Sequence, residues 1–195
     1  VDSLIGLLGF AFVSTVTPGP NNVLLWASGS AFGLRRTLPH IVGTAAGIGL
    51  MALAVAAGLG ALVTAVPQIA LAMKIAGSVY LLYLAVQVAG MRGLTPTAIA
   101  RPLGFVAAVA FQLINPKAWI FAVGAMTTFR PPDVSVVVGS LLVAATMAAM
   151  VIPTAAVWAA AGGAVNRLMT SETRRRVVGG IMAILVAATV VSVWI

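Results

Sequence analysis

Two short stretches carry residues able to do chemistry in an otherwise apolar chain. They are Thr17-Pro18-Gly19-Pro20-Asn21-Asn22 and Asn115-Pro116-Lys117. Each sets proline beside amides inside a long apolar run. A proline has no N–H and leaves the carbonyl four residues earlier without its helical donor. Pro18 thus frees the carbonyl of Ser14, Pro20 that of Val16 and Pro116 that of Gln112. Proline is also favoured at the first position of a helix, with Thr, Gly or Asn as the cap before it. Thr17-Pro18, Gly19-Pro20 and Asn115-Pro116 therefore read as helix restarts. A restart points unpaired N–H groups and a positive dipole end at whatever precedes it, and an anion can sit there. Each break thus offers donors on one side and acceptors on the other. An α-amino acid needs both, for its carboxylate and its ammonium.

Lys117 sharpens the pattern. It stands about midway along its apolar run, one residue after Pro116. A charge at the bilayer centre costs a few kcal/mol on insertion scales, so such a residue is a functional candidate by default. In the first turn of a half-helix it also faces the unfavourable dipole end. No intramembrane carboxylate stands near it in the sequence, and a bound carboxylate would supply one. The candidate site is therefore Pro18, Gly19, Pro20, Asn21, Asn22, Gln112, Asn115, Pro116 and Lys117. The plainer readings are a proline kink at the first stretch and a snorkelling lysine at the second.

The elements that must hold these residues follow from composition. The chain has 195 residues, 62% of them apolar and only 7% charged. Soluble domains carry roughly a quarter charged residues, so this is a polytopic all-α membrane protein. A span needs about 20 apolar residues. Six runs qualify: Leu4–Trp26, Pro39–Val66, Ile69–Met91, Leu103–Phe129, Val134–Ala164 and Val177–Ile195. The first and fourth contain the proline breaks. The first lacks a basic leader and a small-residue cleavage site, so it reads as a span rather than a secretory signal.

Net charge is +8, yet the basic residues lie between apolar runs, which argues against nucleic acid and for cytoplasmic loops. Arg35, Arg36, Arg92, Arg101, Arg167, Arg174, Arg175 and Arg176 follow the odd-numbered spans, against Lys74 and Arg130 on the other side. The positive-inside rule then places both termini in the periplasm. His40 reads as an interface residue beside Arg35 and Arg36, and Trp26, Trp158 and Trp194 as belt anchors near span ends. Gly43 and Gly47 read as a packing pair. Trp119 and Phe121 either wall a cavity or face lipid.

The halves, about 1–91 and 102–195, resemble each other. Both begin with a proline-broken span, and Gly77 of the third span can be laid over Gly179 of the sixth. Three spans per half is an odd number, so the repeats must be inverted, a plan that puts a transport site where broken helices meet. The whole chain, 1–195, is read as one transmembrane transporter domain.

The TPGPNN stretch in the first span together with Asn115–Phe121 (NPKAWIF) in the fourth resembles the LysE/RhtB family of amino acid exporters. The resemblance covers nearly the whole chain in length, spans and motif spacing. It implies a secondary exporter of amino acids or their derivatives in the cytoplasmic (inner) membrane, driven by the proton-motive force. It carries over Pro18, Gly19, Pro20, Asn21, Asn115, Pro116 and Lys117 as site residues. The loop Arg92–Pro102 is shorter than the family pattern implies.

No enzyme activity, cofactor or metal site is expected. Cysteine is absent, and no span places His or an acid beside a serine. The expected partners are an amino acid substrate and lipid, with homo-oligomerisation left open. A metal exporter of the same superfamily and a non-transporting structural subunit remain the alternatives.

Overall fold

The computed structural model describes residues 2–60, 65–90, 102–168 and 171–194, and no strand occurs among them. The helices are α1 (Asp2–Val16), α2 (Pro20–Ala54), α3 (Pro67–Gly90), α4 (Phe105–Ile114), α5 (Pro116–Phe129), α6 (Val136–Leu168) and α7 (Glu172–Trp194). A π turn at Val55–Leu59 follows α2. The loop Arg92–Pro102, with Arg92 and Arg101, lies outside the described residues except for Pro102.

The first expected span is broken as its sequence requires. α1 stops at Val16, and α2 restarts at Pro20 behind an extended Gly19. The fourth is broken too, with α4 and α5 bent by 76° at Asn115.

α2 is a helical hairpin. Gly33 adopts φ 77° and ψ 166°, a left-handed backbone suited to glycine. At 1.5 Å per residue, Asn21 and Thr44 of a continuous helix would stand about 34 Å apart. Their side chains instead lie 3.2 Å apart, and Ser28 and Thr37 are joined at 2.9 Å. The arms 20–32 and 34–54 therefore run back along each other. This corrects the expected boundaries at Trp26 and Pro39. The helix continues past Trp26, reverses at Gly33, and already includes Arg35 and Arg36 at the start of the second arm.

Small residues set the helix contacts. A Cβ on Gly29 would overlap the backbone carbonyl of Ala159, and one on Gly162 would overlap the carbonyl of Trp26. The first arm of α2 and α6 thus touch backbone to backbone. Gly43 and Gly47 open the second arm to Phe105, Ala108 and Gln112 of α4. Such close approach is how apolar helices associate where the solvent is as apolar as they are. Alanines fill much of the interior, among them Ala118, Ala122, Ala125, Ala144, Ala155 and Ala159. α3 and α7 pack side by side.

The outside is apolar as well: Ile5, Val79, Val86, Val106, Val137 and Ile184 all stand well exposed. Pro20–Leu59 and Val136–Val165 are long and apolar enough to cross a membrane, and the bent pair α4–α5 adds a third such stretch. Buried alanine and glycine under a coat of exposed Val, Ile and Leu is the inside-out pattern of a multi-pass membrane protein.

The tryptophans divide. Trp194 is half exposed, with its indole N–H donated to Ser78 Oγ at 2.9 Å and Lys74 Nζ 5.7 Å from its ring. Trp26 is not a belt anchor. It is 1% exposed and packs beside Trp158, Ala161 and Val165.

Candidate functional site

The two proline breaks meet. Gly19, Pro20, Asn21 and Asn22 from the first, and Gln112, Asn115 and Lys117 from the second, line one cavity. Pro18 and Pro116 shape the breaks but are not on its wall. Ser14, Thr15, Thr44 and Thr154 add hydroxyls, and Ile48, Phe121, Met147, Val151 and Ala155 add an apolar side. The space open to the centre of a water-sized sphere is about 50 Å³. At ~10–15 Å³ per water in that measure, it holds about three to five waters.

The carbonyls released by the prolines are taken up internally. Ser14 O accepts from Thr17 Oγ1 at 3.3 Å, Val16 O from the Trp158 indole at 3.1 Å, and Gln112 O from the Asn115 N–H at 3.1 Å. Asn22 stitches the first break by donating Nδ2 to Thr15 O and Thr17 O, at 2.7 and 2.8 Å. Trp119 does for the second break what Trp158 does for the first, donating its indole N–H to Leu113 O at 2.8 Å. Trp158 is thus half-buried at the site rather than a belt anchor, and Phe121, not Trp119, walls the cavity.

Lys117 belongs to one break and is held by the other. Its Nζ donates to Thr17 O and Thr17 Oγ1, each at 2.8 Å, and to Pro18 O at 3.2 Å. These oxygens lie just past the C-terminal end of α1, where a cation is favoured. The dipole penalty at the start of α5 is therefore offset by α1. An ammonium has three protons and all three are in use, with the contact to Pro18 the longest. Gly19 makes room: a Cβ there would stand 3.1 Å from Lys117 Nζ and Cδ.

A chain of amides links the breaks. Asn115 Nδ2 donates to Gln112 Oε1 at 3.3 Å, and Gln112 Nε2 donates to Asn21 Oδ1 at 3.0 Å. Asn21 Oδ1 also meets His40 Nε2 and Thr44 Oγ1, both at 3.2 Å. The Thr44 proton has a nearer acceptor in His40 O, at 2.9 Å. The two lone pairs of the Asn21 carbonyl thus suit Gln112 and His40, so His40 carries its proton on Nε2. At the other end, Asn115 Oδ1 is buried with no hydrogen-bond partner among the described residues.

His40 and Thr44 were missed as site residues. His40 is not an interface residue, being 1% exposed although Arg36, one turn earlier, is exposed. The available signal was spacing. Thr37, His40 and Thr44 recur at helical intervals on one face, which only a hairpin at Gly33 turns toward Asn21.

The cavity hydroxyls are oriented alike. Ser14 donates to Phe10 O at 2.6 Å, Thr15 to Ala11 O at 2.7 Å and Thr154 to Met150 O at 2.9 Å. With their protons turned back to the helix, their oxygens are left as acceptors. The same cavity holds the Lys117 ammonium and the starts of α2 and α5, whose first N–H groups lack helical partners by position. It thus offers groups for an anion and groups for a cation. The wall itself carries no carboxylate, thiol or imidazole.

A family model described as LysE type translocator matches residues 12–193. The cysteine/O-acetylserine efflux protein of Klebsiella pneumoniae is 34% identical over 125 residues, 64% of each chain. Proteins of the same description from Escherichia coli K12 and Salmonella typhimurium are 29% and 28% identical over the same length and coverage. The chain thus spans about two thirds, 64%, of these relatives. No solved structure matches.

Proposed function

The chain belongs to the LysE type translocator family, and from that premise we propose that it is a secondary exporter of small amino acids with uncharged side chains. The observation that carries the proposal is the cavity where the breaks meet, lined by Lys117 and by Asn115, whose buried Oδ1 has no partner among the described residues. The substrate carboxylate takes the place of Pro18 O on Lys117 and draws on the free N–H groups opening α2 and α5. The ammonium takes Asn115 Oδ1 and the hydroxyl oxygens of Ser14, Thr15 and Thr154.

Two features bear on specificity. The wall offers no acid to pair with a cationic side chain, and burying an unpaired charge is costly. The space is also small, so a short neutral side chain against Met147, Val151 and Phe121 fits best. The relatives named for cysteine and O-acetylserine efflux are consistent with this class. A metal exporter finds no ligand set on this wall.

The proposed architecture is six spans in two inverted halves, about 1–91 and 102–195, forming one domain in the cytoplasmic membrane. Both termini are periplasmic and the proton-motive force drives export. The corresponding breaks, and α3 lying beside α7, support the repeat. Purified protein in liposomes loaded with labelled amino acids tests the function. Efflux of small neutral amino acids, with lysine and glutamate retained, is expected. No efflux across a complete panel by folded protein would leave the structural-subunit reading.

A further inference from the structure

We infer that His40 is the proton-binding group of the transport cycle, with Nδ1 taking the coupled proton in competition with the substrate ammonium. The inference rests on the exporter reading above and adds the carrier that the sequence did not supply.

The two ring nitrogens differ in what they meet. Nε2 is committed to Asn21 Oδ1 at 3.2 Å, whereas Nδ1 is fully buried with no partner among the described residues. A buried, unpaired acceptor is costly and calls for a reason. A purely structural hub at this position needs only the Nε2 donor. Nδ1 is also where a proton can be added without breaking a bond. The lone pair takes the proton, the Nε2–H contact to Asn21 persists, and deprotonation returns the ring unchanged.

The surroundings single out this ring. Packed around the second arm of α2 are residues 20–32, 105–114 and 136–165, none of which is titratable. The charged groups along its own arm, on the cavity wall and at the ends of the neighbouring helices are Arg35, Arg36, Lys117, Arg167 near the end of α6, and Glu172, Arg174 and Arg176 at the start of α7. All but Glu172 are cationic. A proton on His40 therefore adds a second positive charge behind a cavity that already holds Lys117. It stands one amide, Asn21, away from the substrate. A substrate ammonium would add a third, so proton and ammonium exclude each other, which is the requirement for antiport.

Polar groups stand between the ring and the Gly33 turn, none of them bonded to Nδ1. Ser28 and Thr37, paired at 2.9 Å, lie between His40 and the Gly33 turn, and Thr37 donates onward to Gly33 O at 2.9 Å. Asn21 and Thr44 lie on the cavity side. In the proposed orientation, a proton taken from the cavity leaves toward the cytoplasm at Gly33. One proton in against one zwitterion out moves one positive charge inward per cycle, so the membrane potential also drives export.

The test separates coupling from transport. Native protein in liposomes should show both substrate counterflow, which needs only binding and alternating access, and export accelerated by an inward proton gradient. His40→Gln keeps a donor for Asn21 but cannot take a proton. In H40Q the acceleration by the gradient, taken relative to the variant's own counterflow, should disappear. Acceleration retained in H40Q, or counterflow lost in parallel with it, overturns the inference. Absence of counterflow in the native protein defeats the exporter reading and this inference with it. His40 is the only histidine in the chain, so imidazole ¹⁵N resonances report on it directly in native protein. At a pH where the ring is half protonated, saturating substrate should lower the protonated fraction. An unchanged fraction with bound substrate refutes the competition even if H40Q does not fold.

Discussion

Replacing Lys117 by Met removes the ammonium while keeping side-chain length. Two consequences oppose each other in stability. The carbonyl of Pro18 loses its donor, at about 1–3 kcal/mol, while Thr17 O keeps the Asn22 amide. Against this, a charge leaves membrane depth, worth about 2.5–3.5 kcal/mol on insertion scales. The net lies between about 2.5 kcal/mol of gain and about 0.5 kcal/mol of loss, so the protein should still insert and purify. Function should fare worse. A hydrogen bond to a charged group contributes about 1.5–3 kcal/mol, which is about 10- to 150-fold in affinity. Efflux below saturation should fall by that factor. The same contact predicts that native protein prefers an amino acid over its carboxyl amide by at least about tenfold. In Lys117→Met the preference should collapse toward unity, because the group that reads the charge is gone. The assay is paired efflux of acid and amide from proteoliposomes at matched protein. Equal efflux by the two proteins, or undiminished discrimination in the Met form, would refute the assignment of Lys117 to the carboxylate.

Replacing Pro18 and Pro20 together by Ala should let α1 run into α2 and close the first break; insertion should be normal and export lost, and retained export at equal protein would reduce this break to a kink. Gly29→Val places side-chain atoms where the Ala159 carbonyl lies, so the detergent-solubilised protein should melt markedly lower, and an unchanged melt would mean the two backbones do not touch. A cysteine introduced at position 95, on a background without cysteine, should resist an impermeant thiol reagent in intact cells. Labelling there would invert the proposed orientation.

The breaks were legible because proline has no substitute for its missing N–H, and their effect at Val16 and Asn115 is local. Placing seven of the nine candidate residues around one cavity was not, since only tertiary packing brings Asn21 to Gln112. The freed carbonyls illustrate the limit. Sequence identifies Ser14, Val16 and Gln112 as donorless, but Thr17, Trp158 and the Asn115 N–H claim them, and Trp158 is 142 residues from Val16. His40 looked peripheral because of its arginine neighbours. A single glycine with positive φ turns its face inward, and the same Gly33 shifted the boundaries read at Trp26 and Pro39.

The reversal at Gly33 also bears on how such a protein can move. Its two arms are joined by one residue and laced by the Ser28–Thr37 and Asn21–His40 contacts. They cannot slide or splay independently, and together form a stiff blade with no slack at its tip. Against α6 the blade meets backbone at Gly29 and Gly162 and seats Trp26 beside Trp158, Ala161 and Val165. Torque at one face of the membrane would then reach Asn21 undamped. The extended residues Gly19 and Asn115 lie elsewhere, in the segments proposed to hold the substrate, so a hinge there would move the site itself.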